Sequence, residues 1–362
     1  MLERFLVPEA DRVHVAEADV RAATQAIFEK MGLPPEDAAL ATDVLITSDL
    51  RGCESHGASN MLRNYVRMYG TGFLKPEPDV RVLRESPVSA SLDADSGLGI
   101  QVGPKAMQLA IDKAATSGIG AVTVANGGHF GMLAYYALMA LPHDMIGVAM
   151  VAAGGHLQVP LWGTEPLFGT HPIAWSAPSV EHPPFVFDVA TTQVAANKLM
   201  LTRRIGSQLE PGWITGLDGE PILEAVDSPD YGGFLMLPFG GTRENGGHKG
   251  YGFATIVDIM AGILASNRPG HLAEPGKHSL FVMAIQIEAF MDASEFKADM
   301  DQLLGRIAAM APIARQERVY YAGLLEHEET KRRKTSGIPY HREVVDWYNE
   351  TAVELGLDYH LP

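Results

Sequence analysis

The sequence predicts an α/β protein, and three observations carry that expectation. Up to about residue 70, apolar residues recur at helical spacing. From about residue 80 to 190, short strand signals alternate with helix signals. Within that alternation, residues 119–125 and Met145–Ala153 are near-continuous apolar runs, the pattern of strands buried on both faces.

Taken in order, Val20, Ala23, Ile27, Phe28 and Met31 form one helical stripe, stopped by Gly32. Pro34 and Pro35 open a second helix with Leu40, Val44 and Leu45 on its apolar face, ending by Gly52. Ser59 is placed to cap a third helix carrying Leu62, Tyr65, Val66 and Tyr69, closed by Gly70. Residues 72–78, rich in Gly and Pro, read as a linker. Strands are expected at 80–83, 88–92, 119–125, Met145–Ala153, 172–176 and Phe185–Val189, and helices at 104–117 and 130–141. Residues 206–247 are rich in glycine and proline and read mostly as loop, a length that in a compact protein usually serves function. Beyond them come a helix at 251–264, a strand at 280–287, a helix at 293–311, a basic run at 331–334 and a helix at 343–355.

Composition narrows the function. The chain of 362 residues is long enough for two domains and a core that needs no staples. Its single cysteine, Cys53, allows no internal disulfide and no thiolate-rich metal site. A net charge of −16 argues against nucleic-acid or anionic-membrane partners, which require a Lys/Arg surplus. No secretory signal and no apolar run of membrane-spanning length are legible, so a soluble cytoplasmic protein is expected.

The 13 histidines are more informative. His56, His129, His156, His171 and His248 each lie within two residues of a glycine, where backbone and ligand can approach closely. Ser55-His56-Gly57 lies between two expected helices and suits proton transfer. Arg63, seven residues on, has the chemistry to hold a substrate carboxylate, with Ser55 and Asn60 orienting it. His129 follows directly on a strand end, the edge at which α/β sheets bind ligands. The strand ending at Asp188 is expected to pass into a helix at Thr191 and Thr192, whose free amides suit phosphate. The glycine cluster 246–252, with Lys249, reads as a phosphate or ribose cradle. The nearest approach to a Rossmann fingerprint, Gly97, Gly99 and Gly103, has its third glycine one residue late and no strand before it. Arg203 and Arg204 carry charge suited to a 2′-phosphate but read as solvent-facing.

Five motifs occur in order: Arg51-Gly-Cys-Glu-Ser-His-Gly57, Asn126-Gly-Gly-His-Phe-Gly131, Gly169-Thr-His-Pro-Ile-Ala174, Phe187-Asp-Val-Ala-Thr191 and Gly247-His-Lys-Gly-Tyr-Gly252. Through them the chain resembles the type-2 malate/L-lactate dehydrogenase family. The resemblance implies a non-Rossmann, mixed-sheet cofactor domain plus a mainly helical domain built from N- and C-terminal segments. The corresponding parts are 1–75 (helical), 76–120 (connecting α/β), 121–250 (cofactor-binding) and 251–362 (return to the helical domain). It also implies NAD or NADP, a homodimer, and hydride transfer at C2 of a small 2-oxo or 2-hydroxy acid. A cyclic imine acid and a non-catalytic nicotinamide binder are the alternatives. By motif position, His56, His129 and Asp188 become catalytic. His171, Asp188, Val189, Ala190, Thr191, His248, Lys249 and Gly250 become cofactor-binding, and His156, in Ala153-Gly-Gly-His156, joins the substrate residues. Asn60 stands where many members carry a carboxylate-binding Arg, a task that passes to Arg63.

Overall fold

The computed structural model describes residues 6–230, 232–265, 268–269 and 272–362. The N-terminal segment forms β1 (Arg12–Val15), α1 (Glu17–Lys30), α2 (Pro35–Leu50) and α3 (Ala58–Gly70). Acidic residues in the first turn of α1 and Lys30 in its last complement its dipole. A sheet layer follows: β2 (Arg81–Glu85), β3 (Ser89–Asp93), α4 (Gly99–Ser117), β4 (Ile119–Gly127), α5 (Ala134–Met139), β5 (Met145–Ala153), β6 (Ile173–Ala177) and β7 (Phe185–Val189). Then come α6 (Ala196–Arg204), the two-residue strands β8 (Ile214–Thr215) and β9 (Leu235–Met236), and α7 (Gly247–Val257), which runs on into a π-helical turn at Asp258–Ile263. The chain closes with β10 (His278–Gln286), α8 (Ala293–Ala308), α9 (Leu324–Ser336), β11 (Ile338–His341) and α10 (Arg342–Leu355).

The main sheet has seven strands in the order β2-β3-β4-β10-β5-β6-β7. Only β3 and β4 run parallel; every other neighbouring pair is antiparallel. This is a mixed sheet and not the parallel sheet of a Rossmann domain. A strand late in the sequence, β10, inserts between two early ones and supplies the centre of the sheet. One hydrophobic core lies between α4, α5 and this sheet. A second joins α1, α2 and α3 to Ile338, Tyr340, Val344, Val345 and Tyr348, so both ends of the chain share a helical unit, stitched by the β1–β11 pair.

Several elements differ from the sequence expectation. Helix α4 begins at Gly99 and carries Pro104 as its sixth residue, past the first turn, so the helix forgoes the bond that an N–H at 104 would make to the Ile100 carbonyl. The helix expected at 130–141 shortens to α5, because 128–131 form an extended turn. Thr191 and Thr192 do not start a helix: the amide of Thr191 bonds Thr170 O, Thr192 bridges to Pro238, and α6 begins at Ala196. Ser59 does not cap α3, since the side chain that takes an amide at its start is Asp49. Strand β2 lies exposed at the edge of the sheet.

Candidate active site

Three imidazoles converge on one cavity. His56 leaves the connection between α2 and α3, His129 follows the end of β4, and His278 is the first residue of β10. Register explains their meeting. His278 pairs with Gly127 on one side and Ala153 on the other, so its ring falls between the loops that leave β4 and β5. The rings of His56 and His129 stack with centroids 5.6 Å apart, and His278 meets His129 edge-on at 5.5 Å. Phe130, Leu133, Val151, Thr170 and Pro172 complete much of the wall, and among the described residues no carboxylate lines it. The cavity therefore lies where the helical unit meets the sheet.

Burial sets the protonation of all three rings. It pushes His56 down to about 4, assisted by the positive charge of Lys198, and His278 down to about 4, assisted by His171. His129 is held well below the usual imidazole range by burial and by its two ring neighbours. Its tautomer follows from its partners. The Gly131 amide donates to Nδ1 at 3.2 Å, and an amide N–H can only donate. The Tyr65 hydroxyl, 2.7 Å from the same nitrogen, retains its proton because burial raises its pKa further. Nδ1 of His129 is thus an acceptor, and the neutral ring carries its proton on Nε2. His56 differs: its Nδ1 lies 2.9 Å from the Ser55 hydroxyl, which can donate or accept.

A buried polar network holds the His56 loop. Asp49 accepts the Ala58 amide (2.8 Å), the Tyr340 hydroxyl (2.7 Å) and the Ser59 hydroxyl (3.2 Å). A Cβ at residue 57 would lie 1.8 Å from Asp49 Oδ1, so only glycine fits after His56. Arg333, fully buried on α9, donates to Glu54 at 2.7 Å and to the Asp49 carbonyl at 2.8 Å. Asn60 and Asn197 both donate to the Ser55 carbonyl.

The remaining expected site residues fall elsewhere. Arg63 does not reach the cavity: two residues before Tyr65, it lies some 200° round α3, where it pairs with Glu343 and stacks over Trp347. Asn60 braces the loop and does not line the cavity. His156 is exposed and outside the wall. His171 is fully buried, with Nε2 3.2 Å from Asp258; only its neighbours Thr170 and Pro172 reach the cavity. Asp188 takes the Ala134 amide at the start of α5, and burial raises its carboxyl to about 6; Val189 pairs with Ile173 behind it. Thr191 spends its amide and hydroxyl on Thr170 O. His248, Lys249 and Gly250 occupy the first turn of α7.

The family model for malate/L-lactate dehydrogenase matches residues 15–348. The chain belongs to the malate/L-lactate dehydrogenase family. A malate dehydrogenase of Pyrococcus abyssi is 38% identical over 99% of each chain, and an L-sulfolactate dehydrogenase of Methanocaldococcus jannaschii is 33% identical over 92% of this chain and 94% of its own. The solved malate dehydrogenase of Pyrococcus horikoshii superposes with a TM-score of 0.88 at 34% identity, covering 98% of both chains.

Members of this family are hydroxy-acid dehydrogenases, and the family implies a nicotinamide cofactor. The start of α7 suits the anionic part of such a molecule. The basic side chains of Arg243, His248 and Lys249 cluster there, although the Gly247 and Lys249 amides already donate to the Thr242 and Gly246 carbonyls, and Gly247 approaches the Gly241 carbonyl so closely that a Cβ would lie 2.2 Å from it. Sequence reasoning missed that His278 lines this cavity and that Tyr65 bonds His129 beside it. The signal for His278 was present: it stands two residues after Gly276, within the same two-residue distance of a glycine as the five histidines singled out. Tyr65 was legible only as a core residue of a helical stripe.

Proposed function

We propose that the protein interconverts a small 2-oxo acid and its 2-hydroxy acid, with His56 as the proton-transfer residue. The observation that carries this is the asymmetry between the stacked imidazoles. His129 has Nδ1 filled by the Gly131 amide and faces Tyr65, so its Nε2–H is a fixed donor that polarises the C2 oxygen. His56 has no such obligate donor on its ring and is free to exchange a proton with that oxygen. A nicotinamide, when bound, would supply or accept the hydride at C2. Its anionic part is assigned to His248, Lys249 and Gly250, and Asp188, Val189, Ala190 and Thr191 support the wall beside it. Arg203 bonds the carbonyls of Ser228 and Pro229, and Arg204 pairs with Glu343, so neither supports selection of NADP over NAD.

We further infer a cytoplasmic homodimer. Phe253, Ile256, Ile259 and Ile263 are each about half exposed and recur every three or four residues along α7 and the π turn, an apolar stripe suited to a second copy.

A panel of 2-oxo acids with NADH and NADPH tests the activity. His56→Ala is expected to lower kcat by about 10²–10⁴-fold while the cofactor Kd, read by nicotinamide fluorescence, changes little. Full turnover in that variant would remove His56 from the chemistry.

A further inference from the structure

We propose that Arg333 is a positioning residue for the reaction: from helix α9 it sets where the His56 ring stands relative to the C2 oxygen. This rests on the proposed function above, which makes His56 the proton-transfer residue. Arg333 belongs to the basic run 331–334 and is the one buried residue of α9, with no exposed surface. A buried guanidinium is a poor stabiliser. An apolar side chain of similar volume commonly holds two elements together as well or better, so its presence here calls for a role that such a side chain cannot fill. Geometry supplies one. The planar fork reaches both the start and the middle of the turn that carries His56. Nη1 donates to the Asp49 carbonyl at 2.8 Å, where α2 ends, and Nη2 donates to Glu54 Oε1 at 2.7 Å, two residues before His56. Nε donates to Glu329, one turn back on α9, which fixes the plane of the fork. The far end of the turn closes on Asp49 as well, whose carboxylate takes the Ala58 amide and the Ser59 hydroxyl. Ser48 closes it from within, its hydroxyl donating to the Cys53 carbonyl at 2.9 Å. Inside this frame the His56 ring is hydrogen-bonded, among the described residues, to the Ser55 hydroxyl alone. The place of the ring is therefore inherited from the main chain of residues 54–58, which Arg333 holds. Its charge does not enter, because the influences on the His56 ring are burial and Lys198. Proton transfer needs heavy atoms about 2.6–3.2 Å apart, and a misplacement of about 1 Å costs up to about 10²-fold.

The test uses two variants of the full chain. The double variant Arg333→Met, Glu54→Gln removes the clamp without leaving a buried unpaired charge. Arg333→Lys keeps the charge but loses the fork that spans both acceptors. Both are assayed with whichever 2-oxo acid the wild type reduces best, at a temperature where circular dichroism shows the native signature. In the double variant kcat is expected to fall about 10- to 100-fold. KM and the cofactor Kd, read by nicotinamide fluorescence, are expected to change less than about threefold, because the other walls of the cavity are untouched. Arg333→Lys is expected to lie between wild type and the double variant. A second readout separates positioning from support of the fold. In a His56→Ala background the same substitutions are expected to cost almost nothing in kcat, since the ring they position is gone. A loss that persists in full there overturns the proposal, as does a loss carried by KM or by cofactor Kd instead of kcat. A kcat within about threefold of wild type in the folded variants overturns the role of Arg333 alone. Should the double variant not fold, Arg333→Lys and its His56→Ala partner decide by the same criteria. A wild type inactive on every acid, or a His56→Ala variant with full turnover, overturns the proposed function and this inference with it.

Discussion

His56 and His129 are the same residue type 5.6 Å apart, yet their partners give them different chemistry. Because burial lowers the His56 pKa to about 4, the neutral, proton-accepting form persists down to that pH. In the oxidative direction kcat/KM for a 2-hydroxy acid is therefore expected to stay level down to about pH 5 and to fall along a limb near 4. A limb at 6–7, the value of an exposed imidazole, would show that the ring is not desolvated as described. Tyr65 acts one step back. Tyr65→Phe removes one of two donors to His129 Nδ1 and is expected to cost about 1 kcal/mol, roughly fivefold in kcat.

At the scale of elements, the His56 loop is held by pieces remote in sequence. Asp49 closes α2, Tyr340 lies on β11 and Arg333 on α9, and all three meet beneath residues 54–58. Burial raises Asp49 to about 7, against the help of its hydrogen bonds, and the Glu54 carboxyl is likewise raised. Arg333→Ala would leave Glu54 buried without its partner and is expected to destabilise the fold by about 3–5 kcal/mol, read as the urea midpoint. The double variant Arg333→Met, Glu54→Gln should recover much of that loss, because no uncompensated charge remains; equal losses in both variants would show that packing, not charge, carries the effect. The strands β4 and β5 were legible from their apolar runs. Helix α9 was read only as a basic run, because its single fully buried side chain is an arginine and it lacks an apolar stripe. Strands β1 and β11 are four residues each and stabilise one another across more than 300 residues, a pairing that no local pattern carries.

The whole molecule leaves an apolar stripe uncovered along α7 and the π turn, while no helix among the described residues is long and apolar enough to cross a membrane. Phe253→Asp together with Ile256→Asp is expected to shift the protein from dimer to monomer in analytical ultracentrifugation. A wild type that sediments as a monomer would remove the homodimer reading. By itself the sequence determined the α/β class, the helical opening, the buried strands and the five ordered motifs, because these rest on local periodicity and on residue types fixed at short spacings. The direction in which each side chain faces was decided only by the tertiary structure. Arg63 and Tyr65 share a helix but not a face, His171 turns inward to Asp258, and Asp188 is spent on α5. Residue 278 reaches His56 and His129 because β10 crosses back to the middle of the sheet, and that long-range pairing is set by register and core packing rather than by neighbours in the chain.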